Sequence, residues 1–552
     1  MIVGVVLDLA ARFPLFPSCI FLECTLPPLF LCQCPLLHSD HPLTQFHDNG
    51  YTVQHRVCRP SYHQSFWQPR HLCECLLRRG PLTLEQLVRL TELTKEQVKN
   101  SLLVLVQHNC VQAFILEQEG REGSRVNTQY LALFDNILHR LRFPKFLEMV
   151  SQDLDEECVE LLEGLLHNGR LTLKQMVDRA SQRKENAVAL DVVQESLSKL
   201  LMIRYAERCP APGLVVSPPV EQDTKKRGAK FKIAEEPETI EYCVLEAAVP
   251  AEGIRFSLAA NSELINNSDI SPMGVGENVA KEDSTLFRAN FEEFIRRRRH
   301  KVLIENVRTA HDDGPAIVLG AILDATRNAE KKVKMENSVP LTLDAIFTEV
   351  QKTENGRALT MERVRSSLVL LGCPQRMLDD SYSIDLRKII ESARDEEVLV
   401  ESIVLKRYGT DAYRMFRLLS KADRLLETDK IAQSTFVEKK DTPKILYKLW
   451  KDDYLHMEKL VVTGARQSKF LLWKVNKPIL WEHVLDEMYH AALNLSLRLA
   501  YEQEKDEELL SVPKDKIVGN LQKRYKRLRN AWLLLESSLM KLDDALMLFH
   551  DF

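Results

Sequence analysis

Twelve cysteines and fifteen histidines are the residue types best suited to metal or nucleophile chemistry in this chain of 552 residues. Cys19, Cys24, Cys32, Cys34, Cys58, Cys73 and Cys75 crowd the first part, and the others are scattered. A structural zinc site takes its thiolates from paired positions such as C-x-x-C, and no such pair occurs here. Scattered single cysteines are what a reducing compartment permits. No phosphate-cradling G-x-x-x-x-G-K-[ST], no H-E-x-x-H, no G-x-S-x-G and no dinucleotide fingerprint is present. His108 and Cys110 sit in apolar helical contexts, where such residues are usually packed rather than reactive. The expectation is a chain without catalytic residues, metal or cofactor.

Basic side chains are the other candidates, and their chemistry is to hold phosphates without reading sequence. Lys95, Lys99, Asn100, Arg121 and Arg125 form one group, diluted by Glu96 and Glu122. Lys174, Arg179, Arg183 and Lys184 form a second. For each residue alone a solvated face is an equal reading. The run Arg296-Arg297-Arg298-Arg299-His300-Lys301 reads as a nuclear-import or nucleic-acid patch, or as a solvated helix face or partner contact. The net charge is −4, so no global field draws the chain to nucleic acid and any contact must be local.

The elements that must carry these groups are set by an internal repeat. Leu76 to Val88 and Leu165 to Val177 both read L-L-x-x-G-x-L-T-L-x-Q-[LM]-V. Pro340 to Ile346 is a shorter third copy, and Leu426 to Ile431 a degenerate fourth. The glycine ends one helix in a left-handed cap. Thr83 or Thr172 then caps the next, with Gln86 or Gln175 three residues on completing a capping box. A third helix follows at Thr94–His108, Asp191–Ile203, Met361–Leu371 and Thr442–Asp452, with Val192, Val193, Leu197, Leu200 and Leu201 inward in the second copy. Hairpins follow in the first copy (111–118 with 125–133) and in the fourth (454–462 with 469–475). Three helices and a hairpin make a winged helix.

Residues 1–66 are apolar and proline-rich at their start, and read as an unstructured extension. Residues 210–285 read as a linker whose later part, Ile240 to Phe256, is partly ordered. Trp481, Leu485, Met488, Ala492, Leu495 and Leu499 form one heptad seam. Leu521, Tyr525, Leu528, Trp532, Leu535, Leu539, Leu542 and Leu546 form another, with Pro513 between them. An antiparallel helical hairpin results, or else an intermolecular coiled coil, and Leu528, Trp532 and Leu535 are the partner-contact candidates. The expected fold is mainly α with small β wings. Four tandem winged-helix domains (67–147, 148–209, 286–395 and 396–477) precede a C-terminal antiparallel coiled-coil hairpin (478–552).

Several stretches, in order, resemble one known family. They are Leu103-Val104-Leu105-Val106-Gln107-His108-Asn109, Leu141-Arg142-Phe143-Pro144-Lys145, Leu165 to Thr172, Arg208-Cys209-Pro210, Arg407-Tyr408-Gly409 and Arg414-Met415-Phe416-Arg417-Leu418. From about residue 70 onward the chain resembles the winged-helix subunit of the initiation heterotrimer of nuclear RNA polymerase III. The resemblance implies four winged helices and a C-terminal coiled coil. It also implies binding to two other polymerase III-specific subunits, docking on the clamp of the largest subunit, and work with initiation factors and promoter DNA. A nuclear location and a role in promoter opening follow from the same resemblance, as does kinship with the large subunit of the general factor that serves RNA polymerase II at that stage. Residues 1–66 and the linker depart from the family pattern. Two other classes stay open on the residues alone. A lid-type complex scaffold would need a long helical solenoid before a single wing. A sequence-specific regulator would need a more basic recognition helix and usually a dimer.

Overall fold

The structure is a computed structural model. It describes residues 59–116, 127–183, 190–210, 213–216, 239–258, 285–330, 332–373, 381–396, 399–422, 424–462, 468–506, 509 and 518–552. They form two compact bodies: residues up to Phe294 with Ser496–Glu536, and Ile295–Leu495 with Ser537–Phe552.

In the first body, helix α1 (Arg59–Arg79) begins inside the stretch set apart as an extension; residues 1–58 lie outside the described residues. Gly80 follows at φ 78°, backbone that glycine enters without a Cβ penalty. Strand β1 (Leu82–Thr83) and helices α2 (Leu84–Thr91) and α3 (Lys95–Gln107) come next. Two capping boxes form here. Thr83 N donates to Gln86 Oε1 at 2.8 Å and Gln86 N returns to Thr83 Oγ1 at 3.4 Å. Thr94 and Gln97 repeat the exchange at 3.0 and 3.3 Å. Leu72, Leu76, Leu87, Val98, Leu102 and Leu105 are buried between the three helices, each stabilising the fold by roughly 1.5–3 kcal/mol. Strands β2 (Val111–Leu116) and β3 (Asn127–Ala132) then pair antiparallel, and β1 adds to β3 with Leu82 opposite Tyr130.

Helices α4 (Phe134–His139) and α5 (Phe143–Asp153) lead into the second copy: α6 (Glu156–Asn168), β4 (Leu171–Thr172), α7 (Leu173–Arg183), α8 (Leu190–Met202) and β5 (Ala206–Arg208). Thr172 and Gln175 form the third capping box, at 3.0 and 3.3 Å. Val193, Leu197, Leu200 and Leu201 are buried as expected, but Val192 is 42% exposed. Adjacent helical residues point about 100° apart, so Val192 cannot share the face of Val193.

The linker is not a simple spacer. Its strand β6 (Val215–Val216) lies parallel along β2, Ile115 opposite Val215. Its helix α9 (Ile240–Ala247) packs Val244 against Phe114, Leu116, Leu131, Leu133 and Val216, covering the first wing. The short α10 (Glu252–Arg255) then reaches the second copy. There Glu207, buried, accepts from Arg255 Nε at 2.5 Å and from Arg288 Nε at 2.8 Å. The ordered later part of the linker was therefore legible. What differs is residues 286–289, expected to open the third domain. They form β7 (Leu286–Ala289), which lies between β4 and β5 and completes the second sheet. Helix α11 (Phe291–Ala310) follows, and its Phe294 is stacked between Phe146 and Tyr205, with both centroid distances 4.6 Å.

The second body holds the third and fourth copies. The third comprises α12 (Asp313–Thr326), β8 (Leu341–Thr342), α13 (Leu343–Lys352), α14 (Met361–Leu370), β9 (Ser381–Tyr382) and α15 (Leu386–Glu396). Thr342 and Thr360 cap α13 and α14. The fourth comprises α16 (Leu399–Tyr408), α17 (Thr410–Ala422), β10 (Leu426–Glu427), α18 (Thr428–Thr435), α19 (Thr442–Lys451), β11 (Leu455–Val462) and β12 (Ser468–Val475), in sheet order β10-β12-β11. Here Glu427 stands where the other copies have threonine and makes no side-chain cap. Thr428 instead accepts from Nε1 of the buried Trp473 at 2.9 Å. In all four copies the dipeptide before the second helix is a two-residue strand paired to a later strand.

Two long helices, α20 (Lys477–Lys505) and α21 (Asn520–His550), contribute to both bodies. In α20 the buried positions include Leu480, Val484, Met488, Tyr489, Ala492 and Ser496, so the seam lies one residue before Trp481 and Leu485 at its start. In α21 Leu528, Leu539 and Leu546 are buried as the heptad predicts, while Trp532 and Leu535 are half-buried and Leu521 is exposed.

Candidate functional site

Helix α3 presents one exposed face carrying Lys95, Glu96, Lys99, Asn100 and Leu103. Val98, Leu102 and Leu105 hold its other side in the core, so these groups are rigidly placed. Arg121 and Arg125, expected on the first wing, lie outside the described residues, as does Lys184. Arg183 ends α7, but its side chain is outside them too. Lys174 is exposed at the start of α7. Arg179 is half-buried in a groove lined by Glu157, Glu160 and Val193, its guanidine Nε 3.4 Å from where a Cβ on Gly164 would stand. It packs between α6 and α7, so among the described side chains of the second basic group Lys174 is exposed and Arg179 is not.

The arginine run is neither a solvated patch nor an exposed signal. Arg296, Arg299 and His300 are buried. Arg296 Nε and His300 Nε2 both meet the buried carboxylate of Glu330, at 3.2 and 3.1 Å. Arg299 donates to the carbonyls of Val333 and Met335 at 2.7 and 2.5 Å, and Arg298 pairs with Asp544 at 2.7 Å. The four-residue spacing of Arg296 and His300 places both on one helix face, and Glu330 closes over that face. Of the run, only Lys301 is fully exposed.

A polar junction that the repeat did not announce joins the first two copies. Gln107 Nε2 donates to Asn168 O at 3.0 Å and also to Arg170 O. Arg170 Nε donates to Asn109 Oδ1 at 2.9 Å, and Asn136 Nδ2 to Asn109 O at 2.9 Å. Gly169 sits against this junction, and a Cβ there would stand 2.0 Å from Gln107 O. His108 is buried beside it; burial, then the charges of Arg140 and His167, push its pKa down to about 3. The only sequence signal was the polar Gln-His-Asn closing the apolar run Leu102–Val106. Burial pushes the neighbouring Cys73 and Cys110 thiols up, the opposite of what a nucleophile needs. Among the described residues no group of three or more metal-ligating side chains is found, and no helix is long and apolar enough to cross a membrane.

Of the partner-contact candidates, Leu528 is buried within the chain, which makes it a core residue. Trp532 and Leu535 are half-buried. Exposed apolar residues on the long helices outside the heptad seams include Leu497, Tyr501 and Leu534, the last 68% exposed, and Val518 is exposed just before α21. A strict heptad count hid these residues because they fall between its seams.

Comparison with known proteins places this architecture. Residues 68–115 match the RNA polymerase III subunit RPC82 helix-turn-helix domain. Residues 195–393 match the RNA polymerase III subunit RPC82 family, and residues 400–475 the POLR3C C-terminal winged-helix domain. The chain is 23% identical over 461 residues to DNA-directed RNA polymerase III subunit RPC3 of Danio rerio, covering 79% of this chain and 81% of the fish protein. It is 22% identical over 462 residues to the Homo sapiens protein of the same name, with the same coverage. A Dictyostelium discoideum relative, also RNA polymerase III subunit rpc3, is 32% identical over 136 residues, 22% of this chain and 20% of that protein. Three matches in chain order, on the first helix-turn-helix, the central region and the last winged helix, show that the chain belongs to the RPC82/RPC3 family of RNA polymerase III subunits, with winged-helix domains.

Proposed function

We propose that this chain is a non-catalytic, nuclear subunit of DNA-directed RNA polymerase III that acts in transcription initiation and promoter opening at small non-coding RNA genes such as those for tRNA and 5S rRNA. The observation that carries the reading is the ordered run of family matches along most of the chain. In this reading the four copies are four tandem winged helices, and α20 and α21 form an antiparallel coiled-coil hairpin. Its partners are two further subunits of an initiation heterotrimer, the clamp of the largest subunit, initiation factors and promoter DNA. The exposed Lys95, Lys99 and Asn100 of α3, with Arg121 and Arg125 of the wing beyond it, hold phosphates near the opening duplex. Lys174 adds to them from the second copy. The half-buried Trp532 and Leu535 and the exposed apolar residues of the long helices serve protein contacts. The absence of catalytic motifs from the sequence and the rigid, capped helices support an accessory role.

The test is a polymerase III preparation lacking this chain. It should transcribe a pre-opened template normally and fail on a closed promoter duplex, and adding the chain back should restore the second activity. Failure on the pre-opened template as well, no rescue of the closed duplex on adding the chain back, or normal initiation without the chain would contradict the proposal.

A further inference from the structure

We propose that the third helix of the fourth copy, α19, is a docking surface for the phosphate backbone of duplex nucleic acid. The proposal rests on the reading of the chain as a DNA-engaging polymerase subunit and assigns that engagement to a surface outside the candidate groups of the first two copies. Helix α19 buries Leu446 and Leu449, which turns Lys444, Tyr447, Lys448 and Lys451 outward together. Lys440, one turn earlier, is exposed as well. Four residues of helix advance about 6 Å, so Lys444 and Lys448 stand along one line of the helix, with the exposed Lys440 in the turn that leads into it, a spacing suited to a backbone that carries charge at regular short intervals. The helix contains no acidic residue. Of the acids flanking it, Asp452 accepts from the Tyr408 hydroxyl at 2.5 Å, Asp453 lies 3.7 Å from His483, and Asp441 pairs with Lys444 at 3.0 Å in an exposed contact that a phosphate can replace. Glu438 is exposed at the entry to the helix.

The other third helices differ. The exposed face of α3 mixes Glu96 with its lysines, α8 shows Asp191 and Glu195, and α14 shows Glu362 while its Arg363 pairs with Asp312 at 3.0 Å. Among the described residues α19 alone of the four carries basic charge without acid. Lysine is depleted in protein–protein contacts and common at phosphates. Tyr447, 56% exposed between Lys444 and Lys448, adds a hydroxyl donor of the kind that contacts phosphate oxygens. The third helix of a helix-turn-helix is also the element that this architecture offers to a groove. These features favour nucleic acid over an acidic protein segment.

The test uses the full-length chain and a labelled random-sequence duplex, with anisotropy measured across a salt series. Loss of two phosphate contacts in the Lys444→Gln/Lys448→Gln variant should weaken binding about 30-fold near 0.15 M salt and reduce the slope of log K against log salt by about 1.8. The charge-matched Lys388→Gln/Lys406→Gln control should leave both unchanged, and all chains should melt alike. An unchanged slope in the first variant, an equal loss in the control, or no duplex binding by the unaltered chain overturns the proposal. Loss of co-purifying protein with duplex binding intact would assign the face to an acidic protein instead and also overturn it. Duplex binding that depends on these lysines in a chain that captures no polymerase subunits would uphold this surface and sink the polymerase reading.

Discussion

Substituting alanine for the same glycine in two copies of the repeat separates a helix cap from a junction. Gly80 and Gly169 both hold φ 78°, Gly169 with ψ −89° rather than in the expected left-handed helical cap, so each alanine variant carries a positive-φ cost of about 1–2 kcal/mol. At Gly80 nothing lies within 4 Å of the new Cβ, and the cost ends there. At Gly169 the Cβ would meet Gln107 O at 2.0 Å and His108 Cα at 2.8 Å, both backbone atoms of another helix. Forcing them apart adds the roughly 1–3 kcal/mol of an overpacked core. It also loosens the Gln107 bonds to Asn168 O and Arg170 O, worth about 1 kcal/mol each. Gly169→Ala should therefore lose about 3–5 kcal/mol and Gly80→Ala about 1–2. Urea unfolding of the full chain, followed by hydrogen exchange at residues 105–110, reads both the size and the place of the loss. Equal destabilisation by the two variants, or a Gly169→Ala chain with unchanged protection at Gln107 and Asn109, would refute the junction.

The buried His108 gives the junction a pH dependence. Its folded pKa of about 3 lies below the usual 6.5, so the unfolded chain binds the proton first and stability falls as pH drops below about 6.5, by about 2 kcal/mol at pH 5. His108→Gln should flatten that part of the stability profile, and an unaltered profile would count against the assignment. Glu330→Gln should leave Arg296 and His300 buried without their carboxylate and cost about 3 kcal/mol or more in a thermal melt; a loss under 1 kcal/mol would mean that the arginine run is not held as described. Leu528→Glu should unfold the helix packing, lowering the melting temperature of the isolated chain, whereas Leu534→Glu should leave the melt unchanged and weaken co-purification of partners. The reverse pattern would exchange their roles.

The local grammar of this chain was readable because it is short-range. A Gly that ends a helix, a Thr that starts the next and a Gln three residues on interact within one turn, so Gly80, Thr83–Gln86 and Thr172–Gln175 appear as the pattern predicts. What the sequence concealed lies in long-range pairings. Nothing local marks Val215 as a partner for Ile115, or Leu286–Ala289 as the strand that completes the second sheet beyond the linker. Charge was the least reliable guide. Arg296, Arg299 and His300 look like a surface signal by type, yet Glu330 and backbone carbonyls thirty or more residues away draw them inside. The basic face of α19 escaped notice for the opposite reason: its lysines are spread one per turn, and only the helix brings them together.

Affinity purification of the tagged full-length chain from nuclei, with identification of the co-purifying peptides, tests the central claim most directly. Membership in the RPC82/RPC3 family predicts that subunits of RNA polymerase III dominate the recovered proteins in fixed proportion to the chain. Recovery of the chain alone, or with a different complex and no polymerase subunits, would contradict it.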